Sequence, residues 1–243
     1  MDKIVLITGA SSGIGEGCAR KFASEGARLI LNARSVDKLE ALAQDLKEKY
    51  GTESYIMPFD VREREVAAEA LRTLPDEWKA IDVLINNAGL AMGVDKEHEG
   101  NFEEWDTMID TNIKGLLSIT RFVVPGMVER GRGDIINIGS ITGAEGDGYG
   151  VDYPTSKAGL MYGFTKSLAQ YGSRHGIRAL CVSPGPVLTR AAMANMKTLL
   201  GRAAEPQEII DLILFIASEK GQFINGENIM IDGGRNAMCR RLR

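Results

Sequence analysis

Short apolar runs alternate along this chain with longer stretches in which apolar residues return every three or four positions. The runs are IVLITGA from Ile4, RLILNA from Arg28, YIMPFDV from Tyr55, DVLINNAG from Asp82, DIINIGS from Asp134, RALCVSPG from Arg178 and ENIMIDGG from Glu227. They are rich in Ile, Val and Leu at successive positions, as strands covered on both faces are. The stretches between them are amphipathic. In VDKLEALAQDLKEKY, Val36, Leu39, Leu42 and Leu46 fall on one helical face. Strand followed by helix, repeated, predicts an α/β fold: about seven strands in one parallel sheet with helices on both faces. No internal repeat, linker or low-complexity tract divides the chain, so residues 1–243 read as a single domain. The stretch 184–206 breaks the rhythm. It is rich in Ala, Met and Leu without a clean strand, and is expected to be a substrate lid, with a plain connecting helix as the alternative.

Composition narrows the field. The chain is 44% hydrophobic and 26% charged, which is globular. Its 29 basic and 33 acidic residues leave a formal charge of −4, and no basic stripe with interleaved aromatics is present, which argues against nucleic acid. No run approaches the ~18 apolar residues of a membrane span. The N-terminus passes straight into a strand pattern, so no signal peptide is expected. Cys18, Cys181 and Cys239 are scattered without metal spacing, which fits a reduced cytoplasm. The two histidines, His98 and His175, leave little room for a zinc site or a histidine-based triad. No metal is expected.

Between the first strand and the first helix lies Thr8-Gly9-Ala10-Ser11-Ser12-Gly13-Ile14-Gly15. Glycines let the backbone turn sharply and approach a pyrophosphate, and the helix start offers free N–H groups and positive dipole. In that setting the turn predicts a Rossmann-type, doubly wound dinucleotide site built from Gly9, Ser11, Ser12, Gly13, Ile14 and Gly15. An NAD site usually carries an acid at the end of the second strand for the ribose 2′-OH. Here Ala33 takes that place, followed by Arg34 and Ser35. A guanidinium and a hydroxyl suit a 2′-phosphate, so NADP(H) is the expected cofactor. Asp60 and Val61, after the third strand, should lie near the adenine. Asn87, Ala88 and Gly89, after the fourth, should border the cofactor at the carboxyl edge of the sheet.

Tyr153 and Lys157 are four residues apart in YPTSKAGLMYGFTKSLAQ, which reads as helix after its proline. That spacing puts phenol and ammonium on one helix face. A cation beside a phenol favours the phenolate, whose ordinary pKa is about 10, and makes the tyrosine a proton donor and acceptor for a carbonyl or alcohol.

Taken together, T-G-x-x-x-G-I-G, N-N-A-G, an Asn in the fourth helix, a Ser after the fifth strand, Y-x-x-x-K and P-G resemble, in order, the short-chain dehydrogenase/reductase family. The likeness spans Lys3 to about Gly234. It implies that Asn112 holds a water in a proton relay, Ser140 orients the substrate oxygen, Tyr153 is the acid/base, and Lys157 binds the nicotinamide ribose beside it. Tyr153 thus borders the cofactor too. Thirteen positions separate Ser140 from Tyr153, the spacing of that family. Pro184, Gly185 and Val187, with Thr189, resemble the segment bordering the carboxamide. A cofactor-binding sensor that lacks chemistry is the alternative of a different class.

The substrate is less legible. From about Leu74 to Ser140 the chain is similar to NADP-dependent 3-hydroxy acid dehydrogenases, which act on serine, allo-threonine and related β-hydroxy acids. The C-terminal half looks more like 3-oxoacyl reductases and polyol dehydrogenases. A small polar β-hydroxy acid or related aldehyde is the first expectation. Oxoacyl thioesters, polyols and hydroxysteroids stay open. After Ser140, the carboxylates Glu145, Asp147 and Asp152 stand where that subgroup has aromatics. Glu145 is expected to line the pocket with Ser140 and Tyr153, or else to sit in an acidic surface loop. The tail 235–243 carries four arginines, expected either to reach an anionic substrate in a neighbouring subunit or to form a plain basic end. Apolar surface on the helix around Trp105 to Ile119 and on that from Tyr153 to Tyr171 implies, by the same resemblance, a homotetramer or homodimer.

Overall fold

Seven strands form one parallel sheet in the order β3-β2-β1-β4-β5-β6-β7 in the computed structural model, which describes residues 2–92, 99–146, 150–189, 196 and 198–237. They are β1 (Ile4–Thr8), β2 (Arg28–Ala33), β3 (Ser54–Pro58), β4 (Ile81–Asn86), β5 (Gly133–Ile138), β6 (Ile177–Pro184) and β7 (Asn228–Ile231). The helices α1 (Gly13–Ser24), α2 (Val36–Tyr50), α3 (Arg64–Arg72), α4 (Phe102–Ile109), α5 (Leu116–Arg130), α6 (Thr142–Glu145), α7 (Asp152–Ala158), α8 (Thr165–Ser173) and α9 (Pro206–Ala217) fill the connections.

Strand periodicity sorts the core into two layers. Val5, Ile7, Leu29, Leu31, Val83 and Ile85 face α1, α2 and α9, meeting Phe22, Leu39, Leu42, Leu46, Ile209 and Ile213. Their neighbours Ile4, Leu6, Ile30 and Leu84 point the other way, onto Ala67, Ile119, Val123 and Met127 of α3 and α5. This is why the strands read as unbroken apolar runs. Each such aliphatic side chain contributes about 1.5–3 kcal/mol by leaving water.

The chain winds from β1 outward to β3, then returns to pair β4 against the other edge of β1. That reversal opens a crevice beyond the carboxyl ends of β1 and β4, the place where such sheets bind ligands. The glycine turn and the segments after β2 to β6 lie at this edge, while Asn112, Tyr153 and Lys157 are carried on helical segments.

Two expectations need correction. The helix read around Trp105 to Ile119 is not uniform: α4 passes through a π-helical segment, Asp110–Gly115, into α5. A second π-helical segment, Gly159–Phe164, joins α7 to α8, and Thr165 Oγ1 donates to the Leu160 carbonyl there at 2.6 Å. The helix bearing Tyr153 begins at Asp152, ahead of Pro154 rather than after it. Proline in a first turn costs nothing, because that N–H would have no helical partner.

Of the proposed lid 184–206, the described parts are tied down at Val187 and Ala203, which are buried, while Leu199 and Leu200 are exposed. Val187 pairs with Ala204, and Leu200 N donates to the Gly233 carbonyl at 3.1 Å. Residues 190–195 and 197 lie outside the described residues, as do His98, Asp147 and the tail from Met238, with Cys239.

Candidate active site

The glycine turn is riveted to the end of β4. Thr8 Oγ1 accepts from the N–H of Asn87 at 3.1 Å and of Ala88 at 3.0 Å. Asn87 Nδ2 donates to the Thr8 and Gly9 carbonyls at 3.0 and 3.1 Å. The packing leaves no room for side chains: a Cβ on Gly15 would stand 2.3 Å from the Gly9 oxygen. Gly9 has φ +67°, so a larger residue would also be strained there. Among the described residues only Thr189 Cγ2 lies within 4 Å of a Cβ built on Gly13. Ser12 caps α1 in extended conformation but its hydroxyl makes no capping bond. The first N–H groups of α1 therefore face the crevice unused, a cradle shaped for phosphate.

At the tip of β2, Ala33 is buried while Arg34 and Ser35 are exposed. Ser35 starts α2 without a side-chain capping bond, so its hydroxyl is available to a ligand. Arg34 leans toward Asp60, Nη1 to Oδ2 3.9 Å. Asp60 is already clasped by Arg62, Nε to Oδ1 3.1 Å and Nη2 to Oδ2 2.8 Å. This clasp holds the Asp60 carboxyl below its usual range. With that acid matched by Arg62, the Arg34 guanidinium remains the accessible charge at the tip. Val61 is buried against Gly115.

The other predicted residues converge on the ends of β4 and β5. Lys157 is buried, and its Nζ donates to the Ile138 carbonyl at 2.8 Å. It lies 5.7 Å from the centre of the Tyr153 ring. Among the described residues no carboxylate pairs with it. A buried, uncompensated ammonium beside a phenol is a mark of function rather than of stability. Gly89 lies against Lys157 and Asn112: a Cβ there would stand 3.5 Å from Lys157 Nζ, an ordinary contact, and a tight 3.1 Å from Asn112 Oδ1. Asn112 itself sits in the π-helical segment and clamps Leu90 from both sides, accepting from its N–H and donating to its carbonyl, each at 2.9 Å. Its amide also donates to Ser156 Oγ at 3.1 Å, which in turn donates to the Tyr153 carbonyl at 2.8 Å. The Ser140 hydroxyl is half-buried, donating to Thr142 Oγ1 at 3.1 Å and accepting from the Thr142 N–H at 3.2 Å.

Sequence reading missed several supports. Ser156 ties Asn112 to the tyrosine helix, and Thr142 aims Ser140. Beneath them runs a buried polar chain: Asn86 Nδ2 to Asn137 Oδ1 at 2.9 Å, then Asn137 Nδ2 to Thr165 Oγ1 at 3.0 Å. Polar residues at buried strand positions were the available signal for this chain.

On the remaining side, the Pro184 carbonyl accepts from Ile141 N at 3.0 Å, tying the end of β6 to the loop after Ser140. A Cβ on Gly185 would stand 2.7 Å from Asp232 Cα, and Val187 is buried. Thr189 stands over Gly13 of the phosphate cradle. Glu145 is nearly covered and faces Arg235 of its own chain, Oε2 to Nε 3.6 Å. The carboxylate expected to face substrate is thus engaged by the first arginine of the tail, and that arginine lies on its own subunit. Cys18 and Cys181 are free and buried, and burial pushes their thiols up to about 12 and about 11. Among the described residues no group of three His, Cys, Asp or Glu is placed to hold a metal.

Comparison with known proteins agrees with this geometry. The family model described as short chain dehydrogenase matches residues 3–199. The NADP-dependent 3-hydroxy acid dehydrogenase YdfG of Escherichia coli K12 is 43% identical over 192 residues, covering 76% of this chain and 72% of that one. The 3-oxoacyl-[acyl-carrier-protein] reductase FabG of Thermotoga maritima is 35% identical over 246 residues, covering 96% and 97%. Among solved structures, L-sorbose reductase of Gluconobacter frateurii, complexed with NADPH and L-sorbose, superposes with a TM-score of 0.90 at 31% identity over 98% of each chain. With its parallel sheet, glycine cradle and Tyr153–Lys157 pair, the chain belongs to the short-chain dehydrogenase/reductase family of oxidoreductases.

Proposed function

We propose that this chain is an NADP(H)-dependent oxidoreductase that interconverts a small polar alcohol, a β-hydroxy acid first, with its ketone or aldehyde. The observation that carries the chemistry is the buried Lys157 ammonium beside the Tyr153 ring, at the sheet edge where Ser140 and the glycine cradle also lie. NADP(H), when bound, supplies or accepts the hydride. Gly9 to Gly15 and the start of α1 would hold its phosphates. Arg34 and Ser35 would hold the 2′-phosphate, and Lys157 the nicotinamide ribose. Asn87, Ala88, Gly89 and the segment Pro184, Gly185, Val187 and Thr189 would close around its other end.

The chain's own residues then manage the oxygen of the substrate. Ser140 and Tyr153 hydrogen-bond it, and Tyr153 gives it a proton in reduction and takes one in oxidation. Lys157 keeps a fixed positive charge where negative charge develops on the phenol oxygen. Asn112 and Ser156 hold the tyrosine helix and Leu90 in register. Similarity to the 3-hydroxy acid dehydrogenase supports the β-hydroxy acid reading, and the likeness to L-sorbose reductase supports a polyol or ketose as the second.

The described helices include none long and apolar enough to cross a membrane. Buried free thiols fit a reducing cytoplasm. Exposed apolar side chains form two patches on opposite faces of the sheet. Leu117, Tyr162 and Tyr171 lie on the α5–α8 side, and Phe215 and Phe223 on the α9 side. Exposed apolar side chains on both sides of the sheet support a homotetramer.

The test is NADP⁺ reduction against 3-hydroxybutanoate, L-serine, sugar alcohols, a 3-hydroxyacyl thioester and a hydroxysteroid, followed by nicotinamide absorbance. Turnover led by the β-hydroxy acids is expected. Turnover confined to polyols moves the assignment to the second reading, and NADPH binding without turnover of any alcohol makes the chain a sensor.

A further inference from the structure

Two neighbouring residues of β5 hold the helix that carries Tyr153 and Lys157. The Ile138 carbonyl accepts from Lys157 Nζ at 2.8 Å, and the Asn137 amide donates to Thr165 Oγ1 at 3.0 Å. Lys157 lies in α7, and Thr165 opens α8. In an unbroken α-helix, eight steps of about 100° would turn these two residues roughly 80° apart. The π-helical segment Gly159–Phe164 stands between them. A π-helical turn holds one extra residue. It removes about one step of rotation and leaves the two side chains roughly 20° apart. The segment is thus what lets both reach the same strand.

Thr165 also closes that segment. Its N–H and its hydroxyl both donate to the Leu160 carbonyl, the hydroxyl at 2.6 Å. A hydroxyl has one proton, so toward Asn137 the same oxygen can only accept. This fixes the Asn137 amide, with Nδ2 toward α8 and Oδ1 toward β4, where Asn86 Nδ2 meets it at 2.9 Å. Asn86 Nδ2 also donates to Thr120 Oγ1 of α5 at 3.0 Å. Asn137 and Thr165 are fully buried. Among the described residues nothing donates to the buried Asn86 Oδ1, which costs stability. An apolar cluster of the same shape would avoid that cost, so what the polar chain supplies is a defined register.

The same segment bears on Ser140. Met161, inside it, is buried against both glycines that flank the serine loop. A Cβ on Gly139 would stand 2.9 Å from Met161 Cγ, and one on Gly143 would stand 2.6 Å from its Sδ. A slip of the segment would therefore disturb Lys157 on one side and the loop of Ser140 on the other. We infer that Asn137 and Thr165 are positioning residues for the reaction. Their hydrogen bond locks the π-helical segment and so registers Lys157, Tyr153 and Ser140 against one another. This rests on the roles proposed for those three residues and names what holds them in place.

Thr165→Val keeps the shape of the side chain and removes its hydroxyl, while Thr165→Ser keeps the hydroxyl. Thr52→Val is the control: it removes another buried hydroxyl, bonded to the Ala23 carbonyl at 3.3 Å, at the end of α1 away from the glycine cradle. For each full-length variant, Tm, NADPH Kd, and kcat and KM are measured with 3-hydroxybutanoate or whichever alcohol of the panel the wild type turns over fastest. Thr165→Val should lower kcat about ten- to a hundredfold, with KM and Kd within about threefold of wild type. Thr165→Ser should keep kcat within about threefold, and Thr52→Val should lower Tm with kcat within about twofold. A Thr165→Val enzyme with lowered Tm but kcat within about twofold of wild type overturns the inference. So does a serine variant as slow as the valine one. Should Thr165→Val not fold, Thr165→Ala, which leaves room for a water beside Asn137, is judged by the same criteria. Tyr153→Phe is assayed alongside. Full activity there defeats the role proposed for Tyr153, whereas loss there without loss in Thr165→Val defeats only the lock. If the wild type turns over no alcohol, hydrogen exchange of the Gly159–Phe164 amides still decides: exchange at least about tenfold faster in Thr165→Val than in Thr165→Ser supports the lock, and equal exchange overturns it.

Discussion

The cofactor half and the substrate half of the crevice are built on different principles. Around β1, β2 and β4 the site is made of backbone. Glycine carbonyls, unused helix N–H groups and the Thr8–Asn87 rivet define its shape, and its few charges are Arg34 beside Asp60 and Arg62. Around the loops after β4 and β5 and the chain end, the site is made of side chains brought together from afar. Glu145, on α6, meets Arg235 of the tail. On the proposed function, the first half would serve one unvarying ligand and the second would set specificity through its charges.

The contrast can be broken in order of expected effect. Lys157→Met removes the fixed charge shared by both halves. Catalysis should fall by roughly 10²- to 10⁴-fold, about 3–5 kcal/mol, read as kcat with NADPH and the best substrate. Arg34→Ala should weaken NADPH about ten- to a hundredfold while leaving NADH binding almost unchanged, read by fluorescence titration of both. A loss of both alike would show that Arg34 does not meet a 2′-phosphate. Gly15→Ala drives a Cβ into the Gly9 carbonyl and should cost about 1–3 kcal/mol, read as a lowered Tm together with weakened NADPH binding.

A smaller effect sharpens the substrate side. Arg202 clasps Glu208 at 2.6 and 2.8 Å where the 198–204 segment meets α9, and the clasp holds the Glu208 carboxyl down at about 2. A carboxyl depressed on folding stabilises the protein above its unfolded pKa of about 4.3. That contribution is lost as pH falls toward about 2. Glu208→Gln should therefore flatten the dependence of Tm on pH between about 4 and 2, with little change at neutral pH.

Legibility followed the same divide. The fold was readable because β1 to β7 are covered on both faces and their apolar runs say so. The cradle was readable because Gly9 and Gly15 answer to close backbone contacts that no other residue satisfies. Tyr153 and Lys157 were readable by spacing and Ser140 and Asn112 through the resemblance to the family, and the structure brings all four to one sheet edge. The π-helical segments at Asp110–Gly115 and Gly159–Phe164 were not, since six residues are too few for a change of period to show. Nor was the fate of Glu145, because its partner lies ninety positions away and no local pattern links them.

The central claim is that Tyr153 moves the proton while the rest of the site binds. Its most direct test is a single-turnover reduction by Tyr153→Phe, preloaded with NADPH and mixed with the carbonyl form of the best substrate. The account predicts NADPH affinity within about twofold of wild type and a rate lower by roughly 10²- to 10⁴-fold. A rate equal to that of the wild type would contradict it.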